Sequence, residues 1–582
     1  MKTTALPLLA ASSLQQRLIV AVSLVQGILL YLLYKAVDSG RWPSGHPIPL
    51  YLLGTLLVGV PLFFNLLLDK GQLRKALQCL LPFAAIAAGV ALYRGWQILP
   101  VEHGEDYELV PAYILSMLIA GFLMTIHAQL WVRGEHYSYP ALLHTSWRLF
   151  LHAAFSGLFT LLLHLVLLLW GGLFDLIGIG IFRFVFQQSW FVIPITTLGF
   201  GFALILFNNL DHIIDTVTRL LVTMLRFLLP LLAFVCLLFV AFLPFTGLQG
   251  LWEARVGSII LLWLMALMLF FTNAVFPQTA EGQSTATAQP YSLGLYRLIA
   301  AAIATLPLFG ILVLHGLFTR IAQHGLTVSR IWGLMVALLL LGYAIGYLWS
   351  VVRLRDHWLR GLQRINCVMA LVVLGLIIAS NSPLLNLQRW SAHSQLARLE
   401  QGLAPQELDI DYFRRALGRS GHEALMQLKD SLASSNALLA TRIDRLYQVG
   451  GSEAFTAESL TAMLTTWPTG RSLPIQVSNE VLNSLQLTLS RANGIRWVYA
   501  LFSDLNADGS EEIVIIYDYG TWYQTDSFYT LREGHWQKHP AMFRIPLTPP
   551  ALDTVLQQDK VQVVPAPWQQ LKLGESVIVP QD

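Results

Sequence analysis

Residues 296–349 read YRLIAAAIATLPLFGILVLHGLFTRIAQHGLTVSRIWGLMVALLLLGYAIGYLW, two apolar runs joined by a short polar loop. Each run has about the twenty apolar residues that an α-helix needs to cross the hydrocarbon core of a bilayer. The loop contains Arg320, Arg330 and a Gly-Leu-Thr-x-x-Arg sequence that starts at Gly325. This stretch therefore predicts two membrane-spanning helices with a positively charged turn between them.

The composition of the whole chain indicates the same class. Of 582 residues, 55% are hydrophobic and 12% are charged, whereas a soluble globular protein carries about 25% charged residues. Apolar runs of about 17 to 22 residues predict eleven spans, near residues 18–34, 48–68, 76–93, 109–130, 149–170, 191–209, 227–243, 256–276, 298–317, 331–352 and 365–381. The predicted fold is an α-helical polytopic membrane bundle of about 11 transmembrane helices, followed by a small α+β aqueous domain.

The predicted domain boundaries follow a shift in charge. Residues 1–386 contain 21 Lys+Arg and 13 Asp+Glu, whereas residues 387–582 contain 16 Lys+Arg and 21 Asp+Glu. We predict a transmembrane domain over 1–386 and a helical segment over 387–480, where apolar residues recur at helical spacing. A β-rich domain follows over 481–582, because LQLTLS, IRWVYALF, EIVIIYDYG and DSFYTLRE are rich in aromatic and β-branched residues.

The distribution of lysine and arginine predicts the orientation. If the N-terminus is cytoplasmic, the cytoplasmic segments contain 14 Lys+Arg and the opposite loops contain 7, which is the usual bias of membrane proteins. Eleven spans then place the C-terminal region outside. We therefore predict a multi-pass protein of the bacterial inner membrane with a periplasmic C-terminal domain, which contains no cysteine and so suits an oxidising compartment.

Several short motifs resemble a known family. They are Tyr296-Arg297, Pro307 within its span, the loop from Arg320 through Gly325-Leu-Thr to Arg330, and the run Ser394-Gln395-Leu396-Ala397-Arg398-Leu399. Together they resemble a bacterial polytopic inner-membrane family of unknown function, the domain of unknown function forty-one fifty-three. The resemblance is densest over residues 296–399. It implies a multi-pass architecture and an inner-membrane location, and it implies no reaction.

A possible metal site lies between two predicted strands. Asp504, Asn506, Asp508 and Glu512 carry side-chain oxygens, and a glycine follows Asp508, a pattern typical of loops that bind a hard cation such as Ca²⁺. The twelfth position is Ile515, where a helix–loop–helix calcium site has glutamate, so the pattern is closer to strand–loop–strand calcium loops. We predict that these four residues bind Ca²⁺; the alternative is a hairpin turn without an ion.

A second candidate site lies in the predicted outer loops. Residues 101–108 read VEHGEDYE, with four acids including Glu105 and Asp106, and the loop quoted first contains Arg320 and Arg330. Either both loops are simply solvated or they form an acid–base pair. In the second case, Glu105 or Asp106 acts as a base or metal ligand, while the two arginines hold a phosphate.

Polar residues within or beside the spans are interpreted as structural. His127, His152, His164 and His315 lie in apolar runs and are predicted to be hydrogen-bonded packing residues, with a functional site as the alternative. A polar cluster at the predicted cytoplasmic end of a span is expected to terminate the helix, with a functional site as the alternative. It comprises Asn208, Asn209, Asp211, His212 and Asp215.

The function class follows from motifs that the sequence lacks. It contains no phosphate-binding glycine loop, nucleophile elbow or paired zinc-binding histidine motif. We expect a non-enzymatic envelope protein with a sensing, binding or scaffold role, whose partners are the lipid bilayer and an envelope protein or lipid-linked molecule. Nucleic acid is not an expected partner, because the aqueous region is net acidic.

Two other function classes stay open. One is a membrane enzyme acting on a lipid-linked substrate, because many spans with an external C-terminal domain give a glycosyltransferase-like layout. The other is a transporter, which the span number favours. The middle of every predicted span lacks Asp and Glu, and this opposes an ion-coupled transporter.

Overall fold

The fold comes from a computed structural model. It describes residues 14–68, 73–99, 109–208, 210–247, 257–276, 291–354, 358–403, 408–432, 443, 460–461, 463–487, 497–518, 523–545, 552, 555–556, 561, 571–573 and 576–578. The chain divides into two compact units. The membrane unit comprises Met1–Arg398 with Arg415–Ala424, and the C-terminal unit comprises Leu399–Arg414 with Leu425–Asp582.

The membrane unit is built of α-helices. In chain order they are α1 (Leu14–Asp38), α2 (Pro47–Leu67), α3 (Leu73–Ile98), α4 (Leu109–Arg133), α5 (Tyr139–Leu176), α6 (Ile181–Gln187), α7 (Ser189–Asn208), α8 (Asp211–Thr246), α9 (Gly257–Val275), α10 (Leu293–His324), α11 (Val328–Leu354), α12 (Trp358–Ser380) and α13 (Leu387–Glu400). Within the described residues, eleven helices, all of these except α6 and α13, are long and apolar enough to span a membrane. The predicted fold class is thereby confirmed.

Two helices begin well before the apolar runs that predicted them. The run 149–170 lies in α5, which has 38 residues, and the run 227–243 lies in α8, which has 36. Apolar residues recur every three or four positions in the first half of α8, so this amphipathic stretch continues the helix. A search for uninterrupted apolar runs misses such extensions.

Helices α8 to α12 share one core. Phe309 of α10 and Met265 of α9 are fully buried in it. A polar cluster joins three of these helices: the Tyr347 hydroxyl lies 2.9 Å from Asn273 Oδ1 and 2.6 Å from Asn366 Oδ1, and Asn366 Nδ2 donates to Asn273 Oδ1 over 2.8 Å. Such interhelical hydrogen bonds hold helices together where lipid supplies no hydrophobic driving force.

Small residues allow other helices to approach closely. A Cβ atom on Gly27 of α1 would lie 2.6 Å from the Cα of Pro194 in α7, so only glycine permits this contact. Close packing at small residues is typical of membrane helix pairs.

The outer faces of the helices remain apolar. Leu81 and Phe227 each expose 77% of their surface, and Leu169 exposes 71%. Exposed apolar surface on this scale is stable in contact with the hydrocarbon chains of lipids. The backbone polar groups are hydrogen-bonded within the helices, as a bilayer requires. The membrane unit therefore contacts a lipid bilayer.

The C-terminal unit contains a five-stranded sheet. Its strands are β1 (Leu464–Trp467), β2 (Trp497–Ser503), β3 (Glu512–Asp518), β4 (Tyr523–Arg532) and β5 (His535–Ile545). They lie in the order β1-β2-β3-β4-β5, with β1 parallel to β2 and the other pairs antiparallel. A separate pair consists of β6 (Leu571–Leu573) and β7 (Ser576–Ile578).

The positions of helices and strands after residue 400 differ in part from those that the sequence predicted. Helix α14 (Ile410–Leu432) bends at Gly418, where φ is +50°. The expected strand LQLTLS is wrong at its start, because residues 485–487 belong to α15 (Ile475–Leu487). Val477, Val481 and Leu485 recur at helical spacing and pack on the sheet core. Conversely, β1 lies within the segment expected to be helical.

Candidate functional site

The predicted metal ligands lie in the loop that connects β2 and β3, here called the Asp504 loop (residues 504–512). The hairpin is antiparallel, and the pairing of Ser503 with Glu512 closes it. Glu512 is buried at the base of the loop, where its Oε2 accepts the backbone N–H of Leu505 over 2.7 Å. The strands thus fix one carboxylate of the predicted set.

Two further carboxylates hold the loop backbone. Asp504 accepts the backbone N–H groups of Asp508 over 3.2 Å and Gly509 over 3.0 Å. Asp508 Oδ1 accepts the backbone N–H of Ser510 over 2.8 Å. This backbone bond, followed by the side-chain bond from Asn506, holds the pKa of Asp508 below its ordinary value. Asp508 is therefore ionised at neutral pH.

Asn506 lies between the carboxylates. Its Nδ2 donates to Asp508 Oδ2 over 2.8 Å and to Glu512 Oε1 over 3.1 Å, while its Oδ1 accepts the Asp508 backbone N–H over 2.8 Å. The amide hydrogens thus point toward the space between two carboxylates. A cation in that space would bind the carboxylate oxygens of Asp508 and Glu512. The four predicted ligands lie together in one hairpin.

The donor set fits a hard cation in its chemistry, because Ca²⁺ prefers carboxylate and amide oxygens. As the side chains stand, no group of three or more His, Cys, Asp or Glu among the described residues is arranged to hold a metal. Binding would require Asn506 to turn its amide by half a rotation, so that Oδ1 replaces Nδ2 between Asp508 and Glu512. Such a turn exchanges two nearly isosteric groups, and it breaks the hydrogen bond from the Asp508 N–H to Asn506 Oδ1.

Arg330 lies in a second arrangement, at the loop between α10 and α11. Gly325 ends α10 with φ at +71° and ψ at 175°. Arg330 Nη1 donates to the carbonyl oxygens of His324 over 3.2 Å and Gly325 over 2.6 Å. A cationic side chain on the last carbonyls of a helix stabilises its C-terminus. Arg330 therefore has a structural role in closing α10.

Helix α13 holds the same loop. Gln395 Nε2 donates to the carbonyl oxygens of His324 over 3.2 Å and Leu326 over 3.1 Å. Ser391 Oγ donates to the Leu326 carbonyl over 2.9 Å, and Ser394 Oγ accepts the Leu326 N–H over 2.9 Å. We call residues 324–327 with these side chains and Arg330 the Gly325 joint.

The Gly325 joint unites motifs that the sequence presents separately. The Gly-Leu-Thr-x-x-Arg sequence and the run that starts at Ser394 both carry the resemblance described above, and the structure brings them into contact. Thr327 also caps α11, because its Oγ1 accepts the Arg330 N–H over 3.4 Å. The sequence offered one indication of this contact: both runs carry the same family resemblance.

The other predicted site residues lie elsewhere. Arg320 lies within α10, before the loop, and is half-buried. Glu105 and Asp106 lie outside the described residues, so the acid–base pair of loops stays a prediction.

The helices and the sheet define the class: a multi-pass α-helical membrane protein with a small α+β unit at its C-terminal end. The family described as Domain of unknown function (DUF4153) matches residues 52–428, about two thirds of the chain. The chain belongs to that family, which confirms the resemblance in the motifs. Neither a curated protein nor a solved structure matches the chain. The family match includes the Gly325 joint and ends before the Asp504 loop.

Proposed function

We propose that this chain is a non-enzymatic envelope protein of the bacterial inner membrane, whose C-terminal unit binds Ca²⁺ at the Asp504 loop on the periplasmic side. The bundle anchors the unit, and the cation-organised loop binds an envelope partner. The observation that carries the proposal is the position of Asn506, whose amide hydrogens lie between the carboxylates of Asp508 and Glu512.

Charge supports a cation at this position. Asp504, Asp508 and Glu512 place three carboxylates in one short hairpin. The ion pair that the structure describes there joins Arg471 to Glu511 over 3.0 Å, and Glu511 is outside the predicted set. A divalent cation would offset the repulsion among the three carboxylates more strongly than a neutral amide does.

The predicted location suits the affinity that is expected of such a loop. Extracellular calcium modules bind with Kd values of roughly 10⁻⁴–10⁻³ M, which suits a compartment outside the cytoplasm. The excess of Lys+Arg on the opposite side, 14 against 7, supports that location for the C-terminal unit.

The lipid-linked enzyme hypothesis receives less support. It used Arg320 and Arg330 as phosphate ligands, and the bonds from Arg330 to the carbonyls of His324 and Gly325 favour a structural role for that arginine.

Titration calorimetry of the full-length protein in detergent tests the proposal. We expect a Ca²⁺ binding heat with a Kd of roughly 10⁻⁴–10⁻³ M, which Asp508→Ala abolishes and Asn506→Asp strengthens. Glu511→Ala is the matched control, because it removes a neighbouring carboxylate outside the ligand set. Absence of heat in the wild type, or equal heat in Asp508→Ala, would contradict the proposal.

A further inference from the structure

Helix α8 is longer than a bilayer core requires. Its 36 residues extend about 54 Å, whereas the hydrocarbon core of a bilayer is about 30 Å thick. Residues 227–246 contain no Asp, Glu, Lys or Arg, and an apolar run of about twenty residues fills the core. Residues 211–226 are therefore left beyond the core, and we call them the α8 arm.

The α8 arm has three faces. One faces the bundle, where Ile214 is buried and Leu225 packs against the shared core. The second face is apolar and exposed; it carries Ile213, Leu220 and Met224. The third face is polar and exposed; it carries His212, Asp215, Thr216, Arg219, Thr223 and Arg226.

The exposed apolar face continues the lipid-facing side of the second half of α8. Leu220 exposes 61% of its surface and Met224 exposes 56%, and both lie at helical spacing from Phe227. Contiguous exposed apolar surface marks a lipid or partner contact, and continuity with the lipid-facing side favours lipid. Residues 277–290, which precede Tyr291, contain no Val, Leu, Ile, Met, Phe, Trp or Tyr, so they supply no large apolar side chain to cover this face.

The polar face suits a membrane interface. The hydroxyls of Thr216 and Thr223 donate to the carbonyls of His212 and Arg219, each over 2.7 Å, so these hydroxyl hydrogens are bonded within the helix. Arg219 and Arg226 have long side chains, whose apolar stems lie along apolar surface while the charged ends extend to lipid phosphates.

A hinge lies where the arm meets the apolar half. Pro230 is inside α8 and has no N–H, so the Arg226 carbonyl four residues earlier lacks its usual helical partner. The Tyr291 hydroxyl donates to this carbonyl over 2.7 Å. Helices bend at interior prolines, and Tyr291 satisfies the acceptor that Pro230 leaves free.

A bend at Pro230 determines which medium Leu220 contacts. On a straight, upright helix, Leu220 would lie about 10 Å beyond Phe227, outside a headgroup layer that is about 5–8 Å deep. A helix tilt of about 40° and a proline kink of about 25° would together incline the arm by about 65°. Leu220 would then lie about 4 Å beyond the core, within the headgroup layer.

We propose that the α8 arm is an interfacial segment, hinged at Pro230, whose apolar face binds the headgroup layer of the bilayer. The apolar face lies toward the acyl chains and the polar face toward water, with Arg219 and Arg226 beside lipid phosphates. Amphipathic helices bind membrane surfaces in this way. The inference rests on the membrane unit alone and is independent of calcium binding and of the predicted orientation.

Spin labels measure the environment of each face. The full-length protein, with its three native cysteines replaced by alanine, is labelled at Leu220→Cys or Arg219→Cys in phosphatidylcholine vesicles. Oxygen concentrates in lipid and a nickel chelate stays in water, so the ratio of their collision rates with the label reports the surrounding medium. We expect a ratio several-fold higher at Leu220→Cys than at Arg219→Cys. Leu531→Cys, at an exposed leucine of the C-terminal unit, is the matched control and should resemble Arg219→Cys.

Proline variants test the hinge. With the label at Leu220→Cys, Pro230→Ala should lower the ratio toward the value at Arg219→Cys, because a straight α8 takes residue 220 out of the headgroup layer. Pro244→Ala removes a second interior proline of α8, far from the arm, and should leave the ratio unchanged. Thermal unfolding in detergent checks that each variant is folded.

Three results would overturn the inference. Nickel access as high at Leu220→Cys as at Leu531→Cys would put the apolar face in water. Low access of both reagents at Leu220→Cys would assign that face to a protein contact, made by a second copy or by another chain. An unchanged ratio in Pro230→Ala would overturn the hinge.

Discussion

Replacing Gly325 by alanine should loosen the loop between α10 and α11. The backbone at this residue, with φ at +71° and ψ at 175°, lies in a region that side chains rarely adopt. The new Cβ would also lie 2.8 Å from both Gln395 Nε2 and Arg398 Cδ. The substitution therefore strains the backbone and pushes α13 away from the loop.

The two effects have separate magnitudes. Backbone strain in this region costs about 1–3 kcal/mol. Displacing Gln395 removes its bonds to the carbonyls of His324 and Leu326, each of which contributes about 1 kcal/mol. The free energy of unfolding of the membrane unit should fall by about 3–5 kcal/mol in total.

Thiol labelling during denaturation in mixed micelles measures this change. Cys236 is fully buried in α8 and reacts with a fluorescent maleimide when the bundle opens. Gly247→Ala is the control, because Gly247 has φ at +68° and ψ at −174°, close to the values at Gly325, and no atom within 4 Å of its added Cβ. It keeps the strain and lacks the clash, so it should cost about 2 kcal/mol less than Gly325→Ala. Equal losses in the two variants would refute the clamping role of α13.

Three further predictions concern other parts of the chain. Arg330→Ala should lower the free energy of unfolding by about 1–2 kcal/mol in the same assay, and unchanged stability would indicate a role outside the joint. Gly509→Ala should weaken Ca²⁺ binding about fivefold by calorimetry, because φ at this residue is +86° and a left-handed non-glycine residue costs about 1 kcal/mol. Unchanged affinity would show that Ca²⁺ binding does not depend on the backbone conformation at Gly509. Burial lowers the pKa of His422 below its ordinary 6.5, against a smaller opposing effect of Glu423. As the pH falls, His422 is protonated in the unfolded state before it is protonated in the folded state, so stability should decline below about pH 6.5. His422→Gln should make that decline shallower in thermal unfolding. An unchanged slope would show that His422 does not cause the decline.

The spans were predictable because crossing a bilayer demands long apolar runs that a single sequence displays. Their ends were less predictable. The first half of α8 is amphipathic, and its helical state depends on packing as well as on hydrophobicity. In the C-terminal unit, Leu485 fits either a strand or a helix by residue type, and its burial with Val477 and Val481 decides for a helix.

The sites divide in the same way. The Asp504 loop was visible because its predicted ligands are near neighbours in sequence. The Gly325 joint connects residues about 70 positions apart, such as Leu326 and Ser394, and the sequence gives no measure of that proximity. A small polar cavity in the membrane unit is lined by Asn65, Gln129 and His152, which come from three helices. Each alone has the appearance of a packing residue, and only the tertiary fold shows that they share a cavity.

The predicted orientation of the bundle underlies the proposed function, because it puts the Asp504 loop outside the cytoplasm. Site-specific thiol labelling in intact cells measures it directly, with Cys79, Cys236 and Cys367 replaced by alanine and one new cysteine introduced. A membrane-impermeant maleimide should label Arg532→Cys, near the hairpin turn after β4, in intact cells with a permeabilised outer membrane. It should label Arg353→Cys, at the end of α11, only after lysis. The reverse pattern would contradict the account.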